Sequence, residues 1–471
     1  MIVFRFFLFC IGLVFCFSSS LALAESSELQ SHSLSSSWVG YSALLIFAVA
    51  YICVVFEEQL HLRKSKPVLL AAGLIWLLIA VASRGTGSEA QVHAALRHNF
   101  LEYAELFFFL LVAMTYINAM LERRVFDWLR DYLIQLGMSY RALFWVTGFM
   151  AFLISPLADN LTTALIMCAV VMAVGREQPD FIGLACINIV VAANAGGAFS
   201  PFGDITTLMV WQEGIIDFFT FLKLVLPSMI NFIVPAVLMH RVIPTGYPAK
   251  QQEHLSQIKN GGVVIVCLFL ATIVTAVSFH SVLHLPPVFG MMTGLAYLKF
   301  YGFYLRESSG GRHSIDHSDE PAEYRVKDDF DVFDKIAKAE WDTLFFFYGV
   351  IVAVGGLGFI GYLSLGSELM YGELGPTAAN ILVGVLSAIV DNIPVMYAVL
   401  SMEPDMNEFQ WLLVTLTAGV GGSLLSIGSA AGVALMGQAR GAYSFFSHLR
   451  WTPAIALGYA ASIISHFLIN D

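Results

Sequence analysis

Asn194-Ala195-Gly196-Gly197-Ala198-Phe199-Ser200-Pro201-Phe202-Gly203-Asp204-Ile205-Thr206-Thr207 interrupts an apolar stretch, and Gly421-Gly422-Ser423-Leu424-Leu425-Ser426-Ile427-Gly428-Ser429 interrupts another in the second half of the 471-residue chain. Both breaks keep Gly-Gly, five residues, then Gly. A short acidic motif precedes each one in equally apolar surroundings: Asp159-Asn160-Leu161-Thr162-Thr163 in the first half, Asp391-Asn392-Ile393-Pro394 in the second. A charge at the bilayer centre costs roughly 2.5–3.5 kcal/mol even on a lenient insertion scale, so carboxylates there usually serve an ion path or a proton relay. Interrupted segments at corresponding positions of two halves point to a secondary transporter.

Composition supports a membrane setting. The chain is 58% hydrophobic and only 13% charged, with a mean hydropathy of +0.75, whereas a soluble globular domain carries about 25% charged residues. Residues 1–24 read as a cleavable secretory signal: one basic residue, Arg5, an apolar run, and Ala22-Leu23-Ala24 before Glu25. The competing expectation is a first transmembrane helix.

Apolar stretches near the roughly 20 residues that a bilayer demands follow at 38–56, 67–83, 102–121, 181–211 (interrupted), 218–241, 261–280, 286–304, 343–362, 409–438 (interrupted) and 451–469. Two pairs of shorter runs, 141–154 with 161–174 and 376–390 with 395–402, flank the Asp-Asn motifs and read as re-entrant hairpins. Irregular backbone survives at membrane depth only against protein or a wet cavity, so the hairpin tips should border a site. With the mature N-terminus outside, the inner loops collect almost all Lys and Arg, and the outer side holds Arg84, Arg97 and Lys223. The expected fold is therefore an all-α polytopic membrane protein of about ten transmembrane helices plus two re-entrant hairpins. These form two inverted-topology repeats, each with a broken helix. The first repeat covers 38–246, with its tip at 159–160 and its break at 194–207. A cytoplasmic connection spans 247–260, and the second repeat covers 261–471, with its tip at 391–392 and its broken helix at 419–432. Both termini of the mature chain fall on the periplasmic side.

The net charge of −11 owes much to an acidic cytoplasmic loop at 306–342. Its His313, Asp316, His317 and Asp319 suit a metal or a pH sensor, but a solvated loop ending in an amphipathic helix over 329–339 is the favoured reading. Cys10 and Cys16 leave with the signal, and Cys53, Cys168, Cys186 and Cys267 read as single core residues. No basic run with interleaved aromatics suggests nucleic acid, and no phosphate-binding glycine loop with a Lys supports ATP use. No enzymatic activity and no cofactor are expected.

The intramembrane polar groups decide the chemistry. Asp159, Asp204 and Asp391 are joined by Glu105 in the third span and by Asp342 with Thr343 at the opening of the eighth. Without a Lys or Arg at the same depth, buried carboxylates must be protonated or hold a cation, and a site alternating between H+ and a cation is the chemistry of an antiporter. Carboxylate, amide, hydroxyl and backbone oxygens are hard donors, which favours Na+ or Li+ over transition metals. Asn160, Asn194 and Asn392 offer amide oxygens; Thr162, Thr163, Ser200, Thr206, Thr207, Ser426 and Ser429 offer hydroxyls. Na+ itself is expected at Asp159, Asn160, Asn194 and Asp204. Against these readings stand plainer ones: Gly-Gly permits close helix packing, hydroxyls in helices bond their own backbone, Glu102 is solvated at the outer interface, and Asp342 closes the cytoplasmic loop.

Leu157-Ala158-Asp159-Asn160-Leu161-Thr162-Thr163-Ala164 and the 194–207 break resemble the signatures of NhaD-type sodium/proton antiporters, in the ion transporter superfamily that also includes dicarboxylate and arsenite carriers. The resemblance implies Na+ and Li+ efflux in exchange for H+ across a bacterial inner membrane, in the service of pH homeostasis and salt tolerance. It also implies a homodimer, with a scaffold domain and a transport domain moving as an elevator. It singles out Glu105, Asp159, Asn160, Asn194, Asp204, Thr206, Thr207, Asp342, Thr343, Asn392, Ser426 and Ser429. The dicarboxylate branch carries Ser-Asn-Thr at the hairpin tips; Asp-Asn at both tips here replaces an anion-tolerant tip with a negative one. The alternatives are an anion or oxyanion carrier of the same superfamily and an intramembrane aspartyl hydrolase using Asp204 with Asp391.

Overall fold

In a computed structural model of the chain, residues 34–175, 178–248, 255–310 and 330–470 are described. All regular structure among them is helical. In chain order the principal helices are α1 (Trp38–Val55), α2 (Ser65–Ala82), α3 (Glu89–Glu122), α4 (Val125–Gln135), α5 (Tyr140–Ala158), α6 (Asn160–Val174), α7 (Pro179–Gly197), α8 (Ile205–Gln212), α9 (Val225–His240) and α10 (Gly262–Leu283). They continue with α11 (Pro287–Gly310), α12 (Val332–Ala337), α13 (Trp341–Ile360), α14 (Pro376–Ser387), α15 (Asn392–Met402), α16 (Glu408–Gly421), α17 (Ala430–Gln438), α18 (Phe445–Leu449) and α19 (Thr452–Asn470).

Nine helices among the described residues are long and apolar enough to cross a membrane, against about ten expected, and the difference lies in particular segments. The first hairpin arm is not the short run 141–154: α5 continues through Pro156 to Ala158, a full crossing length. The third span begins at Glu89, giving α3 34 residues. Both broken spans exist as pairs, α7 with α8 and α16 with α17, and α11, though 24 residues long, is not among the nine. The amphipathic helix ending the acidic loop is shorter than expected, Val332–Ala337. The signal segment 1–24 and the group His313, Asp316, His317 and Asp319 lie outside the described residues.

The chain forms two compact units, and neither coincides with a sequence half. The first comprises residues up to Ala104, Trp341–Ala379 and Ile393–Met406. Its core joins Ala72, Ile75, Trp76 and Ile79 of α2 to Val352, Ala353, Leu357 and Ile360 of α13. The Trp76 indole N–H donates to Val352 O at 2.7 Å, so the ring is buried without an orphaned donor. Helix α1 starts where Ser37 Oγ accepts from Gly40 N, an N-cap that satisfies one of the free amides of the first turn.

The second unit comprises Glu105–Glu340, Asn380–Asn392 and Asn407–Asp471. At its centre lies α7, in which every residue from Phe181 to Gly197 is buried. Helices α5, α6, α9, α16 and α17 pack around it, and its buried Asn188 donates to Phe144 O at 2.9 Å. Pro179 opens α7, where its missing N–H costs nothing. Ser139 and Asn407 cap α5 and α16. Helix α19 lies along α9. Phe202 in the first break packs on Phe109 and Trp211, with ring centroids 5.3 and 5.8 Å away, so the interruption is seated on aromatic side chains. Beyond α11 the chain is fastened by Lys335 of α12, which pairs with Glu122.

Candidate functional site

The two Asp-Asn tips and the two breaks meet within the second unit, and each half builds its part from the same local devices. At the first tip α5 stops and α6 begins across a single residue, Asp159, whose φ of 54° lies in the left-handed region, a conformation that costs a non-glycine residue of order 1–3 kcal/mol. Its carboxylate caps α6: Oδ1 accepts from Thr162 N and Oδ2 from Thr162 Oγ1, both at 2.8 Å. Asn160, next in the chain, donates from Nδ2 to Asn194 Oδ1 at 3.1 Å.

The first break ends at Asp204, which is 4% exposed. Asp204 Oδ1 accepts from Thr206 N at 3.1 Å and so caps α8. The tip of the second hairpin reaches this carboxylate: Asn392 Nδ2 lies 3.3 and 3.2 Å from its two oxygens. The second break ends at Ser429, which caps α17 by accepting from Gly432 N. Ser429 Oγ also accepts from Asn194 Nδ2 at 3.0 Å. The polar centre therefore consists of a direct pair, Asn392 to Asp204, and a relay, Asn160 to Asn194 to Ser429.

Each break lies hard against its hairpin arm. A Cβ on Gly196 would fall 2.3 Å from Phe152 O, and one on Gly421 would fall 2.1 Å from Gly384 O, so no larger residue fits at either position without moving backbone. The carbonyls three residues earlier are held from the same arms: Ser155 Oγ donates to Ala193 O at 2.6 Å, and Ser387 Oγ donates to Ala418 O at 3.0 Å. Neither serine emerged from the sequence reading. The signal was present, since each stands four residues before its Asp-Asn motif, but serine in an apolar helix is unremarkable until its partner is known.

Other expected site residues divide by what they do. Ser200 Oγ donates to Pro156 O, and Thr207 Oγ1 to Ala198 O, so both hydroxyls brace the first break. The fully buried hydroxyls of Thr163 and Ser426 have no hydrogen-bond partner among the described residues. A buried polar atom left unpaired costs about 1–3 kcal/mol, and a hard cation offers such oxygens a partner. Thr206 is fully buried beside Asp204. Asp391 is half-buried in the turn before α15, and Glu105 is half-buried on α3. Asp342 and Thr343 belong to the first unit, where Asp342 accepts from Ser65 Oγ. Glu102, expected to be merely solvated, accepts from Tyr397 OH at 2.7 Å and lies 3.1 Å from His98 Nε2. Cys168 and Cys186 are not single core residues but neighbours, with sulfurs 3.8 Å apart.

Among the described residues, neither Asp159 nor Asp204 forms an ion pair with Lys, Arg or His. A carboxylate held in a buried place by amides and hydroxyls alone is set up to take either a proton or a cation.

Residues 51–419 match the citrate transporter family CitMHS. The chain is 58% identical over 460 residues to a protein of Vibrio cholerae serotype O1 named Na(+)/H(+) antiporter NhaD, with 96% of each chain covered. It is 56% identical over 462 residues to a protein of the same name from Alkalimonas amylolytica, covering 96% of this chain and 95% of that one. Sodium/proton antiporter 1 of Arabidopsis thaliana is 30% identical over 473 residues, covering 96% of this chain and 77% of the plant protein.

Proposed function

Because the chain belongs to the NhaD family of sodium/proton antiporters, we propose that it exchanges cytoplasmic Na+ for external H+ at the polar centre around Asp204. It is a multi-pass membrane transporter and not an enzyme. The observation that carries the reading is the Asp204 carboxylate: buried, contacted by amide donors from its own helix start and from Asn392, and without a basic partner among the described residues. Na+ bound there neutralises the carboxylate; when Na+ leaves, a proton does the same. An empty, ionised Asp204 is costly at this depth, so the site passes between its two loaded forms. That mutual exclusion is what couples the two ions.

In this reading Asp159, Asn160, Asn194, Ser429, Thr163, Thr206 and Ser426 supply or position the remaining oxygen ligands, Asp391 adds negative charge at the second tip, and Li+ shares the site because its ligand preferences are equally hard. Thr162, Ser200 and Thr207 brace the tip and the break, and Glu105, Asp342 and Thr343 act in proton passage. We further propose that the second unit is the moving transport domain and the first the dimerising scaffold. The halves have inverted topology, and the protein resides in a bacterial inner membrane with periplasmic termini. Citrate, the substrate in the name of the matching family, would have to lie against Asp159 and Asp204, neither of which has a Lys, Arg or His paired with it among the described residues.

The test is H+ efflux from everted vesicles of a strain lacking its own antiporters. Na+ and Li+ should each collapse the pH gradient, and Asp204→Asn should abolish the response. Uptake of citrate without a response to Na+ would refute the exchange.

A further inference from the structure

The second break is braced from a part of the chain that neither the hairpins nor the family signatures include. Between Gly422 and Ser429 the backbone leaves helical geometry, and two of its carbonyls point to side chains downstream. Ser423 O accepts from His448 Nε2 at 2.9 Å, and Leu424 O accepts from Thr452 Oγ1 at 2.8 Å. His448 is fully buried, on the short helix α18. Its other ring nitrogen, Nδ1, lies 2.8 Å from the hydroxyl of Tyr443, itself only 2% exposed. These partners assign the tautomer. A carbonyl only accepts, so Nε2 carries the hydrogen, and Nδ1 accepts from the Tyr443 O–H. An imidazole buried this completely, with both nitrogens engaged, has one orientation available to it.

Among the described residues the first break has no such downstream brace. Its carbonyls are served by Ser155 from the hairpin arm and by Thr207 from α8, elements of the site itself. The second break has Ser387 in the role of Ser155, and the remaining support comes from His448 and Thr452. Three residues after Ser423 stands Ser426, with its unpaired buried hydroxyl, and three further on stands Ser429, which receives Asn194.

We propose that His448, oriented by Tyr443, is a positioning residue for ion binding: by fixing the Ser423 carbonyl it sets where the Ser426 and Ser429 oxygens stand. This rests on the reading of the polar centre as the Na+ site. The experiment therefore begins with the intact protein in proteoliposomes, where Na+-driven H+ flux in the unaltered chain must be seen first; its absence would reject the exchange itself. Three variants follow. His448→Leu deletes both bonds and should raise the half-saturating Na+ concentration about tenfold, equivalent to about 1.4 kcal/mol, with a smaller change in maximal rate. His448→Gln places an N–H the same number of bonds from Cα as Nε2 and should return the half-saturating concentration to within about threefold of the unaltered protein. Tyr443→Phe removes a single hydroxyl and should raise it about threefold.

A purely structural histidine would lower the amount of folded protein and the maximal rate while leaving the half-saturating concentration where it was, and that outcome overturns the proposal. So does a His448→Gln protein that behaves like His448→Leu. If His448→Leu fails to fold, Tyr443→Phe decides: an unchanged half-saturating concentration is refutation.

Discussion

The two halves of the polar centre share a scaffold and differ in charge. Ser155 and Ser387 hold equivalent carbonyls, Gly196 and Gly421 admit equivalent backbone contacts, and Asp204 and Ser429 cap α8 and α17 at equivalent places after their breaks. At that last position one half has a carboxylate and the other a hydroxyl. The tip amide of the second hairpin touches the carboxylate directly, whereas the tip amide of the first reaches the hydroxyl through Asn194. A duplicated framework thus carries one anionic position at its breaks, not two.

The largest effect expected from this asymmetry is at the capping positions themselves. Asp204→Asn keeps the cap and removes the charge, and should eliminate Na+-driven H+ flux. Ser429→Ala loses a neutral ligand and should raise half-saturating Na+ about tenfold, or about 1.4 kcal/mol, with transport retained. Vesicle assays on both variants compare them directly, and equal losses would erase the distinction between the halves.

A smaller contrast is expected at the tips. Asn392→Ala strips the donor facing both Asp204 oxygens and should weaken Na+ binding by about tenfold. Asn160→Ala acts one residue removed, through Asn194, and should cost about threefold. The ratio of the two half-saturating concentrations measures how much the relay attenuates the contact. A ratio below one would reverse the assignment of the direct and relayed halves.

The smallest effects should be symmetric. Ser155→Ala and Ser387→Ala each delete the side-chain donor to the equivalent buried carbonyl, Ser387 sharing its hydroxyl with Gly384 O as well, and each should lower stability by about 1–2 kcal/mol, read as the thermal unfolding midpoint in detergent. Similar shifts would sharpen the comparison, since the scaffold is shared; a shift confined to one variant would show that the other carbonyl has a second support.

Much of this centre is legible in the sequence. Asp159, Asn160, Asn194, Asp204, Asn392 and Ser429 all stood out, because polar residues in an apolar stretch are conspicuous in a membrane protein, and all six are bonded to one another or to a helix start. Ser200 and Thr207 were equally conspicuous, yet their hydroxyls brace backbone; residue type alone does not distinguish a ligand from a strut. Ser155, Ser387 and His448 are inconspicuous in the sequence for the opposite reason, since their importance lies in the carbonyl each one meets. The apolar run 141–154 falls short of the end of α5 because the helix continues through Pro156 to Ala158, and a proline is tolerated in a membrane helix whose neighbours satisfy the freed backbone groups.

By itself the sequence determined the membrane setting, the helical class, the two interrupted segments and the acidic tips, because hydropathy and helix breaks are local properties that a chain displays wherever it folds. Tertiary structure alone decided which polar groups meet. Asn392 finds Asp204 across 188 residues and Asn194 finds Ser429 across 235. No local pattern encodes such pairings: they arise when α7, buried along nearly its whole length, is enclosed by helices from both halves of the chain, which brings the ends of the two broken helices together with the hairpin tips.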